Sequence, residues 1–187
     1  MNESMKNPNA WVEATPDFVN GPEDRAAVNL VVAAKQFDVE NNPRYIKGHD
    51  NNPNNGLETY CNIFLWDFTK AMSVEVPHWV DPATGIEVPM GKGKELSANG
   101  VCDWFEQHAL DFGWMKCGKI QARGRASKGF PTVGLWKNPG GIGHVCVVLP
   151  GLDFVHIAQA GGTNFFDKDI SVGYGNLVPQ VVFYTHD

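Results

Sequence analysis

The chain is predicted to fold as one α+β domain. Three observations carry that prediction. In the first half, apolar residues recur at three- and four-residue spacing, as on the face of an amphipathic helix. From Gly129 onward the pattern changes to short apolar runs divided by Gly, Pro and Asn. The 187 residues, 43% hydrophobic and 19% charged, suit a single domain with a core of its own. Helices first and antiparallel strands after is an α+β layout.

Residues 1–20 are polar and are expected to form a loose arm, which leaves 21–187 as the domain. Gly21-Pro22-Glu23-Asp24 opens a helix, with proline in the first turn and acids on the positive end of its dipole. Val28, Val31 and Val32 are read as its apolar face, and it runs out near Phe37-Asp38. Asn41-Asn42-Pro43 breaks the chain, Arg44-Tyr45-Ile46 is read as a short extended piece, and His49 to Gly56 as loop.

A second helix runs from Cys61 to about Met72, with Cys61, Phe64, Phe68, Ala71 and Met72 on its inward face. Residues 77–94 read as loop. Ser97 caps a third helix carrying Val101, Cys102, Phe105 and Ala109, which Gly113-Trp114 ends. A short helix is expected over 122–127. Strands follow at Thr132–Trp136, His144–Leu149, Phe154–Gln159 and Gln180–Thr185, as an antiparallel meander. The second of these is nearly all apolar, which places it centrally in the sheet.

Lys+Arg 15 against Asp+Glu 21 gives a net charge of −6, and the basic residues are scattered. That balance argues against nucleic acid as a partner. No stretch reaches the length of a membrane span, so stable membrane insertion is not expected. The first residues, Met1 to Pro8, lack the apolar segment of a secretory signal. The expectation is synthesis in the cytoplasm, with phage or secretion machinery delivering the protein to any substrate outside the membrane. Oligomeric state is left open.

Four cysteines without C-x-x-C spacing do not make a disulfide scaffold, and Cys102, Cys117 and Cys146 are read as reduced thiols. A zinc site built on Cys61, His144 and His156 lacks the close ligand pair such sites usually show. No metal or other cofactor is expected. His49, His78, His108 and His186 are read as surface residues.

Cys61 is different in kind. It stands where a Gly/Asn-rich loop enters an apolar helix, so unsatisfied N–H groups point toward its sulfur and favour the thiolate. His144 opens the apolar strand Gly143-His144-Val145-Cys146. A helix laid across a meander brings its N-terminus to the strand starts, so thiol and imidazole can meet. Amide cleavage by cysteine also needs a polar group to orient the imidazole. His156 and Gln159, on the next strand, compete for that role. Their opposite parity allows only one to face the site. Gln159 is favoured because Ala160-Gly161 beside it leaves room for the ring.

Tyr60-Cys61-Asn62, Gly143-His144-Val145 and Gln159-Ala160 together resemble the NlpC-type cell-wall peptidases. They also resemble the CHAP amidases of the same papain-like superfamily. The similarity spans roughly residues 40–187. It implies a papain-like fold and a peptidoglycan hydrolase, with Cys61 as nucleophile and His144 as general base. The bond cut would lie in the stem peptide or be the N-acetylmuramoyl–L-alanine amide. It further implies a tyrosine that helps bind the oxyanion, for which Tyr45 is the candidate, with Tyr60 and Asn164 as further substrate-side residues. Asn164 is also read as closing a turn. The chain lacks the family's Asp-Cys-Ser-Gly motif. A non-catalytic cell-wall-binding or virion structural protein on the same fold is the alternative expectation, and a cysteine acyltransferase would use the same residues.

Overall fold

The computed structural model describes residues 13–49 and 57–187. Their helices are α1 (Ala27–Lys35), α2 (Cys61–Ala71), α3 (Ala98–His108), α4 (Lys119–Ala126) and α5 (Ile170–Tyr174). Two small hairpins pair β1 (Gly48–His49) with β2 (Leu57–Glu58), and β3 (Trp79–Val80) with β4 (Lys94–Glu95). The main sheet contains β5 (Met115–Cys117), β6 (Thr132–Trp136), β7 (His144–Leu149), β8 (His156–Gln159), β9 (Phe165–Asp169) and β10 (Val182–Thr185). All its pairings are antiparallel, in the order β5-β10-β6-β7-β8-β9. The α+β expectation is therefore met, and β7 is an interior strand. The meander is not simple. β6 to β9 run consecutively, and then α5 and a 3₁₀ segment (Gly175–Gln180) carry the chain back so that β10 lies between β5 and β6.

α2 is the central helix. Ile63, Phe64, Leu65, Trp66, Asp67, Phe68 and Thr69 are all buried along with Cys61, so the helix is covered on every side rather than on one stripe. Its start packs with Val101 and Phe105 of α3 and with Leu135 and Val145 of the sheet. Its later turns join a larger cluster with Leu30, Phe37 and Val147. Ser97 accepts a bond from the Gly100 N–H and caps α3, a contact worth about 1 kcal/mol. Gly113, at φ 78°, ends that region in the left-handed conformation glycine adopts without strain.

Several expectations are corrected. Of the expected arm, residues 1–12 lie outside the described part, and 13–20 are docked. The Asn20 N–H bonds the Ala71 carbonyl at 2.7 Å, and Gln36 exchanges two bonds with the Phe18 backbone. The first helix is interrupted. Pro22–Asp24 is a 3₁₀ turn, Arg25 and Ala26 are extended, and α1 starts at Ala27. Its buried face is Leu30, Ala33 and Ala34, continued by Phe37, while Val28 and Val32 are exposed. The i, i+3, i+4, i+7 set that includes the two largest side chains wins over a stripe of valines. Arg44-Tyr45 lies in a 3₁₀ turn, not an extended piece. His78 is buried against the Trp66 ring, 5.1 Å between centroids, rather than on the surface. The loop expected over 49–56 lies, from residue 50, outside the described residues.

Candidate functional site

Cys61 is the first residue of α2, and Tyr60 before it makes no side-chain cap bond. The helix start is instead fastened from the side, where Asn62 Nδ2 donates to the Leu96 carbonyl at 2.9 Å. The first N–H groups of a helix have no intrahelical acceptor. Here the Asn62 N–H and the Val145 N–H both donate to the Cys61 sulfur. Ladder pairing of β7 with β8 starts only at Val147, so the first residues of β7 are clear of it on that side.

His144 is the first residue of β7 and hydrogen-bonds Cys61. In the pleat, His144 shares a face with Cys146, which contacts Tyr174, whereas Val145 packs on the α2 side. A residue deep in the strand on the His144 face could not reach α2 through the sheet. At the open end of the strand the ring can. Its Nε2 lies 2.7 Å from Gln159 Oε1, and Gln159 is buried. That leaves Nδ1 as the ring nitrogen for the thiol. The Tyr174 ring is tilted against the imidazole at 5.0 Å.

Burial alone would raise the thiol and depress the imidazole. The interaction between them outweighs it. Opposed by burial as the largest single influence, the charge and hydrogen bond of His144, with the two backbone N–H groups, hold Cys61 below its ordinary value. His144 is held above its own by Cys61 and by the Gln159 oxygen, again against burial. Both shifts favour a thiolate–imidazolium pair. The other three thiols go the opposite way. Burial pushes Cys102 and Cys146 up to about 12 and Cys117 up to about 11. All four cysteines are free. Iodoacetamide at pH 7 is therefore expected to label Cys61 and to spare the others, whose thiolate fractions are about 10⁻⁴ or less. Peptide mapping by mass spectrometry checks this.

Parity separates the two orienting candidates as expected. Gln159 faces His144, while His156, paired with Leu149, points to the other side. There its ring stacks on Phe154 at 4.0 Å and bonds Asp167 at 2.5 Å and Asp153 at 3.3 Å. His156 belongs to a surface cluster, not to this site. Two glycines make room for the pair. A Cβ on Gly161 would stand 3.1 Å from His144 Cε1, and one on Gly173 would stand 2.3 Å from Gln159 Oε1. Gly173→Ala is expected to lower stability slightly, because the clash with the buried Gln159 amide, bonded at both ends, outweighs the roughly 1 kcal/mol by which alanine favours a helix. By displacing the amide it should slow any reaction run by the pair roughly 10- to 100-fold. Thermal melts beside a rate assay check both halves.

The expected oxyanion donor is not where the resemblance implied. The Tyr45 hydroxyl is buried and donates to Asp67 Oδ2 at 2.5 Å, with the ring edge-on to Phe64. Asp67 lies six residues into the helix from Cys61, about 9 Å along its axis. The hydroxyl is committed there, together with Arg44, whose Nε and Nη2 reach the same carboxylate at 2.6 and 2.8 Å. Asn164 also has both ends of its amide engaged, accepting from the Gly161 N–H at 2.9 Å and donating to the Tyr45 carbonyl at 2.7 Å. Tyr60 is buried and borders the cleft described next. Trp66, read as a possible substrate platform, is core, its indole N–H bonded to Glu75 at 2.6 Å.

A cleft of about 170 Å³ opens on Cys61, with Glu58, Thr59, Asn62, Glu95, Ser97 and Ile142 among its walls. The described walls carry two carboxylates and no lysine or arginine. His144 is not among them and meets the sulfur from the sheet side.

Sequence reading missed Asn99. From the first turn of α3 it makes three 2.9 Å bonds to the 138–141 turn that delivers His144, two to the carbonyls of Asn138 and Gly141 and one from the Asn138 N–H. The only available signal was an asparagine early in a helix facing an Asn-Pro-Gly-Gly turn. Among the described residues no three His, Cys, Asp or Glu side chains are grouped to hold a metal, and no helix is long and apolar enough to cross a membrane. Comparison with models of known protein families finds no match, and comparison with curated proteins finds no similar chain.

Proposed function

We propose that the protein is a cysteine-dependent amide hydrolase of papain-like design whose substrate is the peptide portion of peptidoglycan. One observation carries this reading. Cys61, at a helix N-terminus, is bonded to His144, whose far nitrogen is held by Gln159 at 2.7 Å. Nucleophile, proton carrier and orienting acceptor stand in the required order. The N-terminal helices against an antiparallel sheet agree with a papain-like layout.

In the reaction, the Cys61 thiolate attacks the amide carbon, and the carbonyl oxygen takes up the electron pair. The N–H at the helix start is the backbone donor available to that oxyanion. His144, as imidazolium, gives its Nδ1 proton to the leaving amine while the C–N bond breaks. Neutral His144 then takes a proton from water, which attacks the thioester and returns the free acid and the starting ion pair. Gln159 holds Nε2–H throughout and neither gains nor loses a proton. The carboxylates of Glu58 and Glu95 suit a substrate bearing an ammonium near the cleaved bond, as a diamino acid in a stem peptide does.

The test is incubation of the protein, beside Cys61→Ala, with purified peptidoglycan and mass analysis of the soluble fragments. New amine and carboxyl ends produced by the wild type alone would support the hydrolase and identify the bond. Binding to the wall by both proteins without cleavage would favour a non-catalytic wall-binding role.

A further inference from the structure

We propose that Asn164 is a positioning residue for the Cys61–His144 pair, acting through the 161–164 turn and Gln159 rather than by touching substrate. The inference rests on the hydrolase reading above and assigns a part that reading leaves open.

The side-chain amide of Gln159 has two different ends, and only one suits His144. Its Oε1 must face Nε2–H, so its NH₂ must be held elsewhere. Gln159 Nε2 donates to the Thr163 carbonyl at 3.0 Å, and that bond selects the useful orientation. Thr163 is exposed, and the turn before it contains Gly161 and Gly162, a backbone that deforms cheaply. Something must hold the acceptor in place. Asn164 does so from within, through the Gly161 N–H, and from outside, through the Tyr45 carbonyl. Lys47 Nζ adds a bond to the Gly162 carbonyl at 2.6 Å. Tyr45 is itself fixed to α2 by its hydroxyl on Asp67. The brace therefore starts and ends on the helix that carries Cys61. Its order is Asp67, Tyr45, Asn164, the 161–163 turn, Gln159, His144 and Cys61.

Around the imidazole, Cys61 from α2 and Gln159 from β8 are the groups that set its protonation. Tyr174 from α5 lies against it as a neutral phenol, held well above its ordinary value by burial. Losing the Gln159 acceptor weakens the imidazolium and with it the thiolate. The pH at which Cys61 becomes reactive then rises toward that of an ordinary thiol.

The experiment measures the rate of Cys61 alkylation by iodoacetamide from pH 5 to 9, by mass spectrometry, together with thermal midpoints. The proteins are full-length wild type, Gln159→Ala, Asn164→Ala and Asn164→Asp. Asn164→Asp keeps an acceptor for the Gly161 N–H but replaces the donor to Tyr45 by a carboxylate oxygen facing that carbonyl, so it breaks the brace even where the alanine variant folds poorly. The expected result is a rise in the reactivity midpoint for Gln159→Ala and, in the same direction, for both Asn164 variants, with alkylation at pH 6 about tenfold slower. Folded Asn164 variants with the wild-type profile, beside a shifted Gln159→Ala, would overturn the brace and leave the hydrolase reading standing. A wild-type Cys61 as inert as the other three thiols would overturn both.

Discussion

Replacement of Cys61 by alanine is expected to lower the rate of amide cleavage at least about 10³-fold while leaving the fold intact. Cys61 is 2% exposed, and its sulfur accepts from His144 and from the Asn62 and Val145 N–H groups. Alanine removes the nucleophile outright, and among the described walls of the cleft there is no second thiol. Cys102 and Cys146 are both raised to about 12 by burial. His144→Ala should cost a similar factor, because the pair acts as a unit, and the double variant should be little worse than either single one. Gln159→Ala should lose less, since the ring keeps its bond to Cys61.

The pH dependence follows from the two shifts. Cys61 is held below the ordinary thiol value, so on the acid side activity is lost only when the pH falls far enough to protonate the thiolate. His144 is held above the ordinary imidazole value, so on the alkaline side activity is lost as the imidazolium gives up the proton needed by the leaving amine. A bell-shaped kcat/KM profile for the wild type, with its acid limb moved upward in Gln159→Ala, is the expected record. The thermal midpoint of Cys61→Ala, within a few degrees of wild type, shows that lost activity is not lost structure.

The parts of this site legible in the sequence were those fixed by local chemistry. A cysteine at a loop-to-helix transition and a histidine at the head of an apolar strand announce themselves through element ends; strand parity limits the site to one of Gln159 and His156, and the small Ala160-Gly161 beside Gln159 favours it. What could not be read depended on contacts distant in sequence. The role of Tyr45 is set by Asp67, an acid in the middle of an apolar helix whose bonding partners lie 22 and 23 residues away in sequence. Asn164 closes its own turn, as the sequence suggested, but its bond to the remote Tyr45 carbonyl and the bonds of Asn99 to the 138–141 turn run through backbone groups, which leave no trace in sequence. The α1 stripe was misread because Ala33 and Ala34 carry little hydrophobic signal, although they are fully buried. β9 and α5 were passed over for a related reason. The β8–β9 register shifts between Ile157 and Gln159, and Asp167 takes a positive φ there, which breaks the alternation a strand would show.

Asp67→Ala is expected to be the most destabilising substitution near the site. Asp67 is 1% exposed and accepts two bonds from Arg44 and one from Tyr45. Removing it takes a two-pronged carboxylate partner from a buried guanidinium and the acceptor from a buried phenol. Breaking a buried pair from one side costs about 3–5 kcal/mol. For a chain of this length that lowers the thermal midpoint by roughly 6–20 °C. Pairing Asp67→Leu with Arg44→Met should recover much of the loss, since replacing both charges leaves neither buried without the other. Tyr45→Phe separates structure from chemistry at the same place. It deletes one bond to a carboxylate, worth about 1.5–3 kcal/mol, and leaves the ring packed on Phe64. Were the hydroxyl an oxyanion donor, kcat would fall about 10²- to 10³-fold. With the hydroxyl on Asp67, the expected result is a lower midpoint and a nearly unchanged kcat.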